Sequence, residues 1–379
     1  MRIFQNLNIN FLGKRTIFYF ISATLILLGF LNILTRGLHL GIDFKGGTEI
    51  ALQFEKPIDI TQIRNDVDNL GLGSVEVKTF GSSNDILLRT DLQEIPANVI
   101  PKVKSKIESI ISNTFPGLQK HTTDSTSTTI TIKFPDNRTA EILNNKLFEA
   151  GFQTSKAIDD TSNTSVIVRF AVSDLLKENL AANYKNNPFI ILKEDKVGPK
   201  VGQELKKDAV IAVMLSLVVI LIYISFRFKF TFAIGAVVAL FHDVLITLGL
   251  FSVLYGVIPG LNLEFSLTVV AAFLTLIGYS MNDTVVVFDR VREHLKLHKT
   301  LPLEENINQA INKTFSRTII TGLATVFSII VLIIFGGEVL RGFAFALFIG
   351  MITGTYSSIF VASAFVLEYA TRAHKKIEF

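Results

Sequence analysis

The chain has 379 residues, of which 49% are apolar and only 18% charged, and it contains no cysteine. With a positive mean hydropathy, this composition excludes an ordinary soluble protein of such length and fits a multi-span membrane protein with one polar domain. The net charge of +4 comes from basic residues spread along the flanks of apolar runs, not clustered with aromatics, so no nucleic-acid partner is expected.

Six windows are long enough to cross about 30 Å of hydrocarbon at about 1.5 Å per residue. They are Thr16–Leu34, Ala209–Phe226, Phe232–Val257, Phe265–Phe288, Thr318–Phe335 and Gly342–Tyr369. Lys14 and Arg15 precede the first, but it is longer than a signal-peptide core and no small-x-small cleavage site follows, so it reads as an uncleaved anchor. Arg2, Lys14, Arg15, Arg227, Lys229, Arg290, Arg292, Lys296, Lys299, Arg372, Lys375 and Lys376 all fall on one side. The opposite loops carry none in "VIPGLNLEF" and only Arg341 in "GGEVLRG". The excess predicts cytoplasmic termini and an extracytoplasmic segment between the first two spans, where no disulfide braces it.

That outer segment repeats itself. "EIALQF" (49–54) aligns with "TITIKF" (129–134), "NLGLGS" (69–74) with "EAGFQT" (149–154), and "DILLRT" (85–90) with "SVIVRF" (165–170), at a constant offset of 80 residues. Each copy reads strand, helix, strand, strand, helix, with amphipathic stretches such as "DITQIRNDVDNLG", "NVIPKVKSKIESIIS" and "SDLLKENLAANY". This is the order of a ferredoxin-like split βαβ unit. "FIILKE" supplies a last strand to the second copy, and the first has no strong equivalent. The expected organisation is residues 1–36 for the N-terminus and first span, 37–120 and 121–205 for two outer modules, and 206–379 for the remaining spans with a cytoplasmic loop at about 289–316. The fold class is thus an α-helical membrane protein of six transmembrane helices with a duplicated α+β domain.

Polar residues inside the spans are the candidate site. Asn282 and Asp283 lie in the fourth window before its charged stop at Asp289, Arg290 and Arg292. A carboxylate within a span costs roughly 2.5 to 3.5 kcal/mol on insertion scales, so it faces a partner or water; the alternative is that the inner boundary falls a turn earlier and Asp283 sits among headgroups. Arg317, at the inner end of the fifth span, is the cation that can neutralise it, or else an inside anchor that snorkels. His242 and Asp243 form a second pair about ten residues into the third span, either a packed structural couple or a relay. With no cysteine, and His242 the one histidine within these windows, no transition-metal site is expected. "GIDFKGGT" lacks phosphate-loop spacing and reads as a tight turn. "HLKLHKTLPLEENINQAINKTF" is either an inner interfacial helix or a solvated connector.

Five stretches carry a resemblance: "GIDFKGGTEI", "VGPKVGQEL", "FHDVLITLGLF", "GYSMNDTVVVFDRVRE" and "NKTFSRTIITG". In this order and spacing they resemble the SecF family of the bacterial Sec protein-export machinery, which shares its fold with proton-driven exporters of the resistance-nodulation-division type. The resemblance implies a multi-pass inner-membrane subunit paired with SecD, acting on the SecYEG translocon and a translocating preprotein within membrane lipid, and driven by the proton-motive force. It implies no cofactor beyond the proton as coupling ion, and roles in proton transfer for Asp283 and Arg317. The family's outer domain is usually one ferredoxin-like module, whereas here it is doubled. Two other functions stay open: a half-transporter exporting a small hydrophobe or lipid, and a scaffold. An enzyme is not expected, because no nucleophile, base and oxyanion set assembles in one place.

Overall fold

A computed structural model describes residues 8–79, 82–92, 94–118, 121–126, 128–157, 164–258 and 261–372. Arg2, Lys375 and Lys376 lie outside them. The chain divides into two compact units, residues 1–44 with 204–379, and residues 45–203.

The first helix, α1 (Arg15–Arg36), is followed by a single turn, α2 (Ile42–Lys45). Gly46 and Gly47 then take φ of 80° and 120°. A side chain at Gly47 would run into the carbonyl of Thr90, so glycine is required at this turn.

The second unit runs β1 (Gly47–Phe54), α3 (Ile60–Asp68), β2 (Val75–Thr79), β3 (Asp85–Thr90), α4 (Ile100–Thr114), β4 (His121–Ser125), β5 (Thr129–Lys133), α5 (Asn137–Glu149), β6 (Gln153–Lys156), β7 (Ser165–Arg169), α6 (Val172–Asn183) and β8 (Phe189–Val197). The side chains of Asp59 and Asp136 cap α3 and α5 by accepting from the Thr61 and Thr139 amides, each at 2.8 Å. Apolar residues at i, i+4 spacing, such as Val103, Ile107 and Ile111 on α4, face one core with Ile50, Leu52, Ile130 and Val168 of the strands.

The strands form two sheets, in the orders β2-β3-β1-β8 and β4-β5-β7-β6. The 80-residue offset survives as register: Glu49 pairs with Arg89 in the first sheet and Thr129 with Arg169 in the second. The last strands, however, are exchanged. "FIILKE" in β8 pairs antiparallel with β1 and completes the first sheet, contrary to its expected place in the second copy. The second sheet takes β4 as its edge. The reason is local. A tight turn, with Thr126 N donating to Thr129 O at 2.8 Å, joins β4 to β5 at a small loop-closure cost, and the edge it fills is then closed to β8.

The chain continues with α7 (Pro199–Arg227), α8 (Phe230–Leu254), α9 (Leu267–Leu297), α10 (Leu303–Phe335), α11 (Gly337–Ser357) and α12 (Ser363–Arg372), the last two joined by a π-helical turn, Ser358–Ala362. Among the described residues six segments are long and apolar enough to span a membrane: α1 with its leading turn, α7, α8, α9, α10, and α11 running through the π turn into α12. The expected loop at about 289–316 is instead mostly helix, because α9 and α10 extend into it and leave only residues 298–302 between them. Pro302 precedes α10 with an extended backbone, so the stretch expected to be either one interfacial helix or a solvated connector is divided between the ends of α9 and α10.

Small residues set the helix spacing. Gly29 of α1 and Gly249 of α8 meet backbone to backbone. Gly350 and Gly354 of α11 lie against Leu276 and Ser280 of α9, a small-xxx-small contact. Ahead of α1, Asn308 and Asn312 of α10 accept from the amides of Leu12 and Ile9, both at 3.0 Å, and pin the entry of the first span.

Candidate functional site

Asp243 of α8 is 1% exposed and saturated with donors. Its Oδ1 lies 2.9 Å from His242 Nδ1, and its Oδ2 accepts from Ser280 of α9 at 2.6 Å and from Ser357 of α11 at 2.8 Å. His242 Nε2 faces two hydroxyls, Ser22 of α1 at 2.8 Å and Tyr356 of α11 at 3.1 Å. A hydroxyl can donate or accept, so the ring fits its surroundings with one proton or two. Four helices thus converge on one histidine–carboxylate couple, and the couple is a tie between them as well as a group able to hold a proton.

The glycine contact between α9 and α11 makes this possible. With Gly354 against Ser280, the helices approach closely enough for hydroxyls from both to reach one carboxylate oxygen. Ser22, Ser280, Tyr356 and Ser357 were not singled out in the sequence. Their signal there is faint, since small polar residues are common in spans and bond to their own helix.

Asp283 lies near the middle of α9 and is 3% exposed. In contrast to Asp243, its Oδ2 has no hydrogen-bond partner among the described residues. The hydroxyl of Thr318, buried on α10, is also without one. A buried polar atom lacking a partner costs about 1 to 3 kcal/mol, so each calls for an explanation. Neighbouring Arg317 is exposed, and no ion pair within 4.0 Å joins it to Asp283. The expected partners are therefore near each other but make no direct ion pair in this conformation. Asn282 is exposed, since consecutive helical residues point about 100° apart. His242 is not the one histidine on a span-length helix, because α9 runs on to include His294, itself buried.

Two family models match the chain: "Protein export membrane protein SecD/SecF, C-terminal" over residues 176–372 and "SecD/SecF GG Motif" over residues 32–58, which takes in the Gly46–Gly47 turn. The protein translocase subunit SecF of Rhodothermus marinus is 40% identical over 377 residues, covering 98% of this chain and 97% of that protein. The SecF of Pseudomonas aeruginosa is 30% identical, covering 95% and 90%. The crystal structure of SecDF, a translocon-associated membrane protein from Thermus thermophilus, is similar with a TM-score of 0.67 at 29% identity. The match covers 97% of this chain and 39% of that one, so the chain spans well under half of the SecDF polypeptide.

Proposed function

The chain belongs to the SecD/SecF family of protein-export membrane proteins, and from that membership we propose that it is a subunit of the Sec translocase that assists protein transport across the bacterial inner membrane. Its partner is a second six-span chain of the SecD type. This pairing is supported by the share of SecDF that the chain spans, 39%, which leaves length there for another set of helices, and by the two-fold logic of transporters built from halves. The termini are cytoplasmic and the two-sheet unit extracytoplasmic, a reading supported by the excess of basic residues in the loops on one side. No covalent chemistry and no cofactor is involved.

The coupling ion is the proton, and Asp283 carries it. The observation behind this reading is the buried carboxylate with a free oxygen, mid-helix, in a chain whose other buried span carboxylate, Asp243, is fully bonded. A protonated Asp283 is tolerated where it stands. An ionised one needs a cation, and Arg317 on α10 supplies it once the helices repack. The two charge states then favour different packings, which is the condition for a proton to drive motion. One proton crossing the membrane gains about 2.3 kcal/mol per 100 mV, enough to bias a two-state bundle severalfold or more. His242 and Asp243 hold the fulcrum between α1, α8, α9 and α11, and exchange a proton with the hydroxyls around them. Asn282, exposed next to Asp283 on α9, belongs to the same proton path.

The test is preprotein export into membrane vesicles, with and without a protonophore. Asp283→Asn, which fixes the group neutral at constant size, is expected to keep partner binding and to abolish the protonophore-sensitive increment. Arg317→Lys is expected to retain more of it than Arg317→Ala. A full increment from the Asp283→Asn vesicles would remove Asp283 from the mechanism.

A further inference from the structure

Asp283 and Arg317 are near each other without an ion pair, and a different face of the arginine's helix is clamped. Asn308, Asn312 and Phe315 of α10 follow i, i+4, i+7 spacing and share one face. Each grips the segment that precedes α1. Asn312 closes on both backbone groups of Ile9: its Oδ1 accepts from the amide at 3.0 Å and its Nδ2 donates to the carbonyl at 2.8 Å. Asn308 accepts from the Leu12 amide and donates to Asn10 Oδ1, both at 3.0 Å. Phe11, only 5% exposed, sets its ring 5.1 Å from that of Phe315. Water can satisfy the amides of a segment ahead of a span, so this clamp is more than solvation requires.

The grip has a consequence at a distance because α10 is one unbroken helix from Leu303 to Phe335. Holding residues 308–315 sets its rotation about its own axis. Arg317 leaves the helix about 140° round from Asn312, so the clamp decides where the guanidinium points. α1 does not yield freely either. Its Ser22 is bonded to His242 Nε2 at 2.8 Å, and Phe18 stacks on Phe360 of the π turn with 3.6 Å between ring centroids. Turning α10 to bring Arg317 onto Asp283 must therefore break the clamp or carry α1 along.

We infer that Asn312, with Asn308 and Phe11, is a positioning residue that holds Arg317 off Asp283, so that the ion pair forms only when α1 and α10 move together. The inference deepens the proton-carrier reading of Asp283 and rests on it. The clamp makes the arginine a conditional partner. It also ties the helix of Arg317 to the His242–Asp243 couple through α1, which links the two polar centres without direct contact between them. Apart from Arg317, the titratable side chain acting on Asp283 among the described residues is Tyr279, one turn back on α9.

The experiment follows the infrared band of the protonated Asp283 carboxyl, assigned by its loss in Asp283→Asn, through a pH titration of the full chain reconstituted with its co-purifying partners in lipid vesicles. Asn312→Ala is expected to lower the pH of half-protonation by about one unit, a roughly tenfold fall in proton affinity, because a released Arg317 stabilises the carboxylate. Phe11→Ala, which loosens the same segment without altering α10, is expected to shift it in the same direction. Asn312→Gln, which keeps both amide groups on a longer arm, is expected to shift it less than Asn312→Ala. With Arg317→Ala already present, Asn312→Ala is expected to cause no shift. Limited proteolysis checks that each variant is folded. No shift from Asn312→Ala, an upward shift, or an equal shift with and without Arg317 overturns the inference. Export is scored in the same vesicles. If the titration shifts as expected while Asp283→Asn keeps the protonophore-sensitive increment, the export role of Asp283 falls and the clamp stands. An unshifted titration with a lost increment removes the clamp alone, and a chain in which Asp283→Asn removes no titrating band overturns both.

Discussion

Ser357 donates a 2.8 Å hydrogen bond to Asp243 Oδ2 from the position immediately before the π-helical turn Ser358–Ala362. Ser363 closes that turn by donating to the carbonyl of Ser358 at 2.9 Å. π turns are rare and concentrate where a helix must re-aim its side chains. Here the turn lets α11 present Ser357 and Tyr356 to the histidine–carboxylate couple while α12 keeps its own apolar face, with Val366 and Leu367, in the core.

The two span carboxylates are therefore expected to respond differently to substitution. Asp243→Ala removes the acceptor of His242, Ser280 and Ser357 together and leaves them buried, at a cost of about 3 kcal/mol. Asp283→Asn breaks no hydrogen bond among the described residues and is expected to cost about 1 kcal/mol or less. Thermal unfolding of the purified chain in detergent distinguishes them, and equal losses would refute the division of roles.

Glu49 is the electrostatic centre of the first sheet. Its Oε2 accepts from Arg89 Nε at 2.9 Å, and its Oε1 lies 3.2 Å from Lys193 of the exchanged strand. Arg89 is only 8% exposed. Glu49→Ala removes the closest partner of that guanidinium, with Glu76 remaining at 3.9 Å, and is expected to destabilise the unit by about 2 kcal/mol. In the second copy Arg169 faces solvent opposite Thr129, and Arg169→Ala is expected to be nearly silent when both variants are unfolded in a urea titration, which checks the contrast.

Acid should loosen the tie between α6 and β8. Partial burial pushes the Glu194 carboxyl up, but hydrogen bonds from Ser173 and Lys177 outweigh it and hold the group below its ordinary value of 4.5. A depressed carboxylate contributes stability at neutral pH, and that contribution is lost as the pH falls through the folded-state value. Glu194→Gln is expected to flatten the pH dependence of unfolding between about pH 5 and pH 3 relative to the parent. An unchanged acid limb would show that Glu194 contributes nothing.

Topology is open to direct labelling, because the chain has no cysteine. A membrane-impermeant thiol reagent added to intact cells is expected to modify Ser82→Cys and to spare Lys299→Cys. Modification of Lys299→Cys would reverse the orientation drawn from the basic loops.

Hydropathy along the chain determined the six spans, because crossing a membrane is a demand on each segment's own length and polarity. It also exposed the duplication, because Glu49–Arg89 and Thr129–Arg169 hold one register under a single offset. Local pattern could not say where β8 would pair. Its alternation fits either sheet, and in the fold the edge beside β5 is taken by β4 while β8 pairs with β1. Nor could it rank the carboxylates, since Asp243 and Asp283 both read as acids in apolar helices. Only the packing of α1, α9 and α11 around α8, brought close by Gly29, Gly249 and Gly354, surrounds Asp243 with hydroxyls and leaves an oxygen of Asp283 free. Hydrogen bonds between helices depend on which faces meet, and that is settled by residues hundreds of positions apart.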